Sequence, residues 1–213
     1  MNNPEKSHRS IRYIIARILE KLYRSLNNRK PWLSPAVNQF LIKKIQPDWT
    51  AFEYGSGRST LWLAHRIKSL ISVEHNPEWH ERVTKELNKH NLLNVELLLC
   101  KREEDKEPEG IGSKYVSTIL KYENTCFDLI LVDGVYRAEC ACQALAKLNR
   151  GGILIIDDVH RYLPSRSFSP FARKINEGPL SEKWTDFLEK TSNWDRWWTS
   201  NGVSDTAVFY KPK

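Results

Sequence analysis

Acidic residues and glycines recur at the ends of short apolar runs in this chain. TAFEY ends in Glu53 and Tyr54 and leads into Gly55, Ser56 and Gly57. LISVE ends in Glu74, followed by His75 and Asn76. FDLILV runs into Asp133 and Gly134, and GGILII into Asp157 and Asp158. Glycine, lacking a side chain, lets a ligand approach the backbone closely. A carboxylate in a poorly solvated cleft attracts a cation strongly. Four acid-bearing ends do not suit a phosphate, which calls for backbone donors and cations. Glu74 follows Gly57 at about the distance at which dinucleotide-binding folds place a ribose-binding acid.

These residues need elements to hold them. From residue 50 onward, apolar runs alternate with helical stretches. TAFEYG, LISVE, VELLLC, FDLILVDG and GGILIIDD read as strands. STLWLAHRI, PEWHERVTKELNKHN and YRAECACQALAKL read as helices, with a charged loop, KREEDKEPEGIGSK, after the third strand. Short, nearly continuous apolar strands between helices predict a doubly wound, mostly parallel α/β sheet. After a helix around EKWTDFLEKT, the segments NWDRWWTS and DTAVFYKP flank an Asn-Gly turn and read as an antiparallel hairpin. The expected architecture is seven-stranded, with a C-terminal antiparallel strand, preceded by N-terminal helices. Residues 1–48 are expected to form a helical extension and residues 49–213 the sheet domain.

Residues 9–27 carry Ile11, Ile14, Ile15, Ile18, Leu22 and Leu26 at helical spacing, with basic residues between them. Such a stripe packs on its own domain, on a second subunit in a homodimer, or on a membrane surface as a peripheral contact. A second helix is expected from Ser34 to Ile45, with Ser34 as its cap and Pro35 at its first position. The formal charge is +7, and eight basic residues, Lys6 to Lys30, fall in the first 30. That excess attracts anionic lipid, nucleic acid or an acidic partner. No apolar run approaches the roughly 20 residues that cross a bilayer, and the polar MNNPEKSHRS start lacks a secretory cleavage pattern. A cytoplasmic location is therefore expected. The four cysteines, Cys100, Cys126, Cys140 and Cys142, lack the paired spacing of a zinc site and read as reduced thiols.

Taken in order, EYGSG, SVEHN, FDLILVDG and LNRGGILIIDD, with the terminal hairpin, resemble the class I S-adenosylmethionine-dependent methyltransferases of Rossmann-like fold. The resemblance covers residues 50 to about 158 plus the hairpin. It implies that the loop from Glu53 through Gly55, Ser56 and Gly57 holds the methionine end of the cofactor, with Glu53 favouring its ammonium group. It implies that Glu74 accepts hydrogen bonds from the ribose hydroxyls, with His75 and Asn76 beside the adenine. The adenine-side residue is one of Cys100, Lys101, Arg102 and Glu103, and Asp133 borders the cofactor. Arg58 and Ser59 stand where the commoner loop has a third glycine, and Ser59 or Thr60 is placed to cap the next helix.

Asp133, Asp157 and Asp158 occupy the positions at which catechol-type O-methyltransferases of this class bind magnesium. Oxygen ligands suit that ion, and it would lower the pKa of an acceptor hydroxyl. Those enzymes have a lysine three residues after the first aspartate, and Tyr136 stands there instead. Without a metal, methyl transfer needs an aligned nucleophile and a proton acceptor. Asp133, Asp157 and His160 are the catalytic candidates, with Tyr136 as an orienter. Arg161, Arg166, Arg173 and Lys174, after the fifth strand, suit an anionic substrate or a solvated loop. Trp184, Trp194, Trp197 and Trp198 read as core or a dimer face.

The expected function is methyl transfer to a small-molecule acceptor, at a hydroxyl oxygen. A nucleic-acid acceptor is not expected: the chain lacks an Asp/Asn-Pro-Pro-aromatic motif after the fourth strand and a Pro-Cys nucleophile. Two competitors remain. One is an NAD(P)-dependent oxidoreductase, whose loop would carry a third glycine where Thr60 stands. The other is a non-catalytic interaction protein using the basic N-terminal helix.

Overall fold

The computed structural model describes residues 10–101 and 112–213. Arg102 and Glu103, and most of the charged loop after the third strand, lie outside the described residues. The strands are β1 (Thr50–Tyr54), β2 (Ser69–Glu74), β3 (Val95–Leu99), β4 (Phe127–Val132), β5 (Leu148–Asp157), β6 (Asp195–Ser200) and β7 (Asp205–Tyr210). They form one seven-stranded sheet in the order β3-β2-β1-β4-β5-β7-β6. β1 to β5 are parallel, and β7 runs antiparallel to both β5 and β6. The architecture is thus the doubly wound α/β sheet with an antiparallel C-terminal pair that the alternation of runs predicts. The strand order reverses between β1 and β4, which opens a crevice at their carboxyl ends, where ligands bind in such sheets.

Successive side chains along a strand point to opposite faces, so each buried strand feeds two cores. Phe52, Tyr54, Ile130, Val132, Leu154 and Ile156 belong to one. Ala51, Leu129, Leu131, Ile153 and Ile155 belong to the other. The first core is covered by helices α5 (Lys114–Ser117), α6 (Arg137–Lys147) and α7 (Glu182–Lys190), through Tyr115, Ala141, Trp184 and Phe187. The second is covered by α2 (Pro35–Lys44) and α3 (Arg58–Ala64), through Val37, Leu41, Trp62 and Leu63. The helical extension therefore shares its core with the sheet. Ser34 accepts a hydrogen bond from the Val37 amide at 3.3 Å, the cap expected for α2. Helix α4 (Pro77–Lys89) starts at Asn76, whose side chain accepts from the Trp79 amide. The four tryptophans from Trp184 onward pack inward: Trp184 is in the first core, Trp194 and Trp198 lie against it, and Trp197 against the second.

Helix α1 (Ile11–Leu26) departs from the commonest fate of such a stripe, packing on its own domain. Ala16, Glu20 and Tyr23 turn toward the protein, and Glu20 is buried in ion pairs with Arg17 and with Arg24 at 2.6 Å. The isoleucines and leucines face outward. Among the described residues, no helix is long and apolar enough to cross a membrane.

Candidate functional site

The loop after β1 is built around two glutamates. Gly55 has φ +93°, and a Cβ there would lie 2.9 Å from the backbone of Asp133 and Gly134. Only glycine lets the β1 and β4 loops meet this closely. Ser56 then reaches β2: its amide and hydroxyl donate to Glu74 Oε2 at 3.0 and 2.8 Å. The amides of His75 and Asn76 donate to Oε1, each at 2.9 Å. Burial alone would raise the Glu74 pKa, but hydrogen bonds from His75, Asn76 and Ser56 outweigh it and hold the carboxylate at about 2. Glu74 is therefore ionised throughout the working pH range. The indole of Trp79 donates to the Ser56 carbonyl at 2.6 Å and fixes the loop from the far side.

Glu53 lies deeper. It is fully buried, and Oε2 accepts from Thr60 at 2.5 Å and from Ser72 at 2.8 Å. Oε1 has no hydrogen-bond partner among the described residues. Burial pushes its pKa up to about 7. Its carboxyl is therefore closed off from solvent. Thr60 ties this acid to the helix start: its hydroxyl also accepts from the Gly57 amide at 2.8 Å. Gly57 is the N-cap of α3, and Thr60 satisfies that cap from three residues inside the helix.

Tyr115 gave no signal in the sequence. Its ring is fully buried, and its hydroxyl would be 1.9 Å from a Cβ on Gly134. That hydroxyl has no hydrogen-bond partner among the described residues. Gly134→Ala should therefore cost on the order of 2 kcal/mol or more, by overpacking. Tyr115→Phe alone should cost little, because it removes an unsatisfied group. It should also recover part of the loss in the double variant. Urea unfolding of the three variants checks this; equal losses in the single and double glycine variants would refute the contact.

The three aspartates gather around a side chain that sequence reasoning missed. Arg137, in the first turn of α6, donates from Nη2 to Asp133 Oδ1 at 2.9 Å and from Nε to the Gly134 carbonyl at 2.9 Å. Nη1 donates to the Asp157 carbonyl and lies 3.8 Å from Asp158 Oδ2. The cation among these acids is thus a guanidinium joining the ends of β4 and β5. No group of three or more potential ligands converges on a metal position among the described residues. The magnesium site expected at Asp133, Asp157 and Asp158 does not fit this arrangement. Asp157 is buried, and its carboxylate is engaged by Thr206, which donates to it at 2.6 Å.

The same geometry sorts the candidate proton acceptors. The Asp133 side chain keeps 31 % of its surface exposed. Burial raises the pKa of its carboxyl, against the opposing pull of Arg137. Burial and the neighbouring Asp133 raise Asp157 well above the usual carboxylate range. His160 is only 1 % exposed; its Nδ1 accepts from the Asp205 amide at 3.1 Å, and burial lowers its pKa. A catalytic role for His160 does not suit that position. Its carbonyl accepts from the Arg173 amide, so it ties β7 to the loop after β5. Tyr136 and Asp158 both adopt left-handed backbone, φ 51° and 53°, at the crevice rim, conformations that are costly for non-glycine residues and concentrate at functional sites.

No family model and no curated protein matches the chain. Its architecture is shared with solved structures. A precorrin 8W decarboxylase from Methanobacterium thermoautotrophicum superposes with a TM-score of 0.53 at 19% identity, covering 88% of this chain and 95% of that one. A putative methyltransferase from Streptococcus mutans, solved in complex with SAH, gives 0.53 at 16%, over 81% and 94%. A putative methyltransferase from Escherichia coli gives 0.55 at 14%, over 83% of each. The chain has the class I methyltransferase fold.

Proposed function

We propose that this protein is an S-adenosylmethionine-dependent methyltransferase acting on a hydroxyl oxygen of a small-molecule acceptor. The observation that carries this reading is the corner made by Glu74 and Ser56 beside the β1–β4 crevice: an ionised carboxylate held by Ser56, at the strand end where a ribose would lie. When bound, the cofactor supplies an electrophilic methyl group on a cationic sulfur. Rotation of the Ser56 hydroxyl frees an acceptor position on Glu74 for the ribose hydroxyls. Gly55 and Gly57 keep the floor of the crevice clear for the methionine chain. His75, whose Nδ1 lies 3.0 Å from Glu74, borders the adenine end. The unpartnered oxygen of Glu53 adds negative potential behind the loop, which favours the cofactor's positive charges.

Asp133 is the proton acceptor in this scheme. Of the catalytic candidates it is the one with a partly exposed carboxylate, and it has a raised affinity for a proton. It orients the acceptor hydroxyl and takes its proton as the oxygen–methyl bond forms and the sulfur–methyl bond breaks. Arg137 fixes its rotamer and acts as a positioning residue. Asp157 supports the pair from below.

Calorimetric titration of the purified protein with S-adenosylhomocysteine and, separately, NADH tests this reading. Saturable binding of the first, without the second, is the expected result. Binding of NADH alone would favour the oxidoreductase, and binding of neither would favour a non-catalytic role.

A further inference from the structure

The outward face of α1 is where the molecule is least like a water-facing surface. Ile11, Ile14, Ile15, Ile18, Leu19, Leu22 and Leu26 are all between 48% and 84% exposed. At 100° per residue they span one arc of the helix, while Ala16, Glu20 and Tyr23 form the face turned toward the protein. Arg12 borders the arc on one side, and Arg17 and Lys21 on the other. Glu20 is the one acid in the helix, and it is buried and paired. Outward, then, the helix offers hydrocarbon flanked by positive charge.

The surface continues beyond the helix. Arg12 stacks over Phe168 at 4.1 Å, and Phe168 is 69% exposed. Phe171 and Ile175 follow on the same loop, also exposed, and Arg161 lies over Phe171. Arg166, Arg173 and Lys174 add further charge there. At its other end α1 places Arg24 against Trp32, which also meets Arg58 at the start of α3. Near its middle, Ala16 packs on Gly202 in the β6–β7 turn. That turn, the loop after β5 and the start of α3 all lie at the carboxyl edge of the sheet. The apolar arc therefore sits above the same edge as the crevice.

We propose that this face docks on an anionic membrane surface, with α1 lying in the interface and the aromatic loop beside it. Large apolar side chains between arginines and lysines are the composition that binds the headgroup and acyl boundary of such bilayers. Charge decides against a second copy as the occupant: pairing the face with itself would set Arg12, Arg17 and Lys21 against like charges with no exposed acid of the helix to meet them. Lysine and arginine stems reach the headgroups while the isoleucines and leucines enter the acyl region. The proposal is independent of the methyl-transfer reading.

Co-sedimentation of the full chain with phosphatidylcholine vesicles, with and without phosphatidylglycerol, tests it. Binding to the anionic vesicles should be on the order of tenfold tighter or more and should weaken with salt. The variant Ile14→Ser, Ile18→Ser, Leu22→Ser changes only exposed positions and should lose that binding while keeping its unfolding temperature. Equal pelleting with both vesicle types, or no pelleting, overturns the proposal, as does unchanged binding by the triple variant. Light scattering that shows a dimer of the parent and a monomer of the triple variant, without vesicle binding, would assign the face to a second copy.

Discussion

Glu53→Gln should make the ligand-free protein more stable at pH 8 while weakening its hold on S-adenosylmethionine. In the unfolded chain this carboxyl titrates near 4.5, and in the folded protein near 7. The folded state therefore keeps a proton that the unfolded state has lost between those values, and stability falls as pH rises through that window. Above it, the buried carboxylate costs about 3 kcal/mol relative to its neutral form. Glutamine retains an oxygen for Thr60 and Ser72 and has nothing to ionise. Its unfolding temperature should exceed that of the parent by roughly 5 to 10 °C at pH 8, and the gap should close toward pH 4.5. Affinity should move the opposite way, because a cation in the crevice favours ionised Glu53 and finds no charge in the variant. A loss on the order of tenfold corresponds to about 1.4 kcal/mol of that attraction. Thermal scans at several pH values and calorimetry at pH 8 check both halves. A difference in unfolding temperature that does not vary with pH would mean that Glu53 is not the buried group responsible.

Glu74→Ala should have the larger effect on binding. Its removal leaves the Ser56 amide and hydroxyl and the His75 and Asn76 amides without their acceptor. The loop then loses its tie to β2, and the ribose loses its partner. Donors left unsatisfied cost about 1 to 3 kcal/mol each when they stay buried, so affinity for S-adenosylhomocysteine should fall on the order of a hundredfold or more. Ser56→Ala separates the two contributions. If the serine hydroxyl competes with the ribose for Glu74, that variant binds as tightly as the parent or a few-fold more tightly. If it binds as weakly as Glu74→Ala, the serine itself is the ligand contact. Because Glu74 sits at about 2, it should add no pH dependence to binding near neutrality, whereas Glu53, pushed up to about 7, should.

The sheet is legible in the sequence because its strands are short apolar runs bounded by acids and glycines, and parallel burial leaves them almost without polar positions. The Asn-Gly turn marks the hairpin of β6 and β7, and Ser34-Pro35 marks the start of α2, each through local chemistry. The strand-end acids are legible as a set, yet their depths are not. Glu53 and Glu74 read alike in the sequence, but one faces the underside of α3 and the other a ring of amides. Arg137 was missed because its meaning lies in carbonyls from two strand ends that only the fold brings together. His160 sits in a polar stretch, HRYLPSR, that reads as solvated; β7, some 45 residues on, closes over it. The stripe on α1 is plain from its period, but a period defines a face and not what covers it. Here the small and polar residues at the opposite face do the packing.

The most direct test of the account is a crystal structure with S-adenosylhomocysteine. The account predicts the ligand across the carboxyl ends of β1 and β4, its ribose hydroxyls on the Glu74 carboxylate, the Ser56 hydroxyl rotated away, and its amino acid end above Gly55 and Gly57. A ligand bound elsewhere, or one whose ribose leaves Glu74 wholly engaged by Ser56, would contradict it.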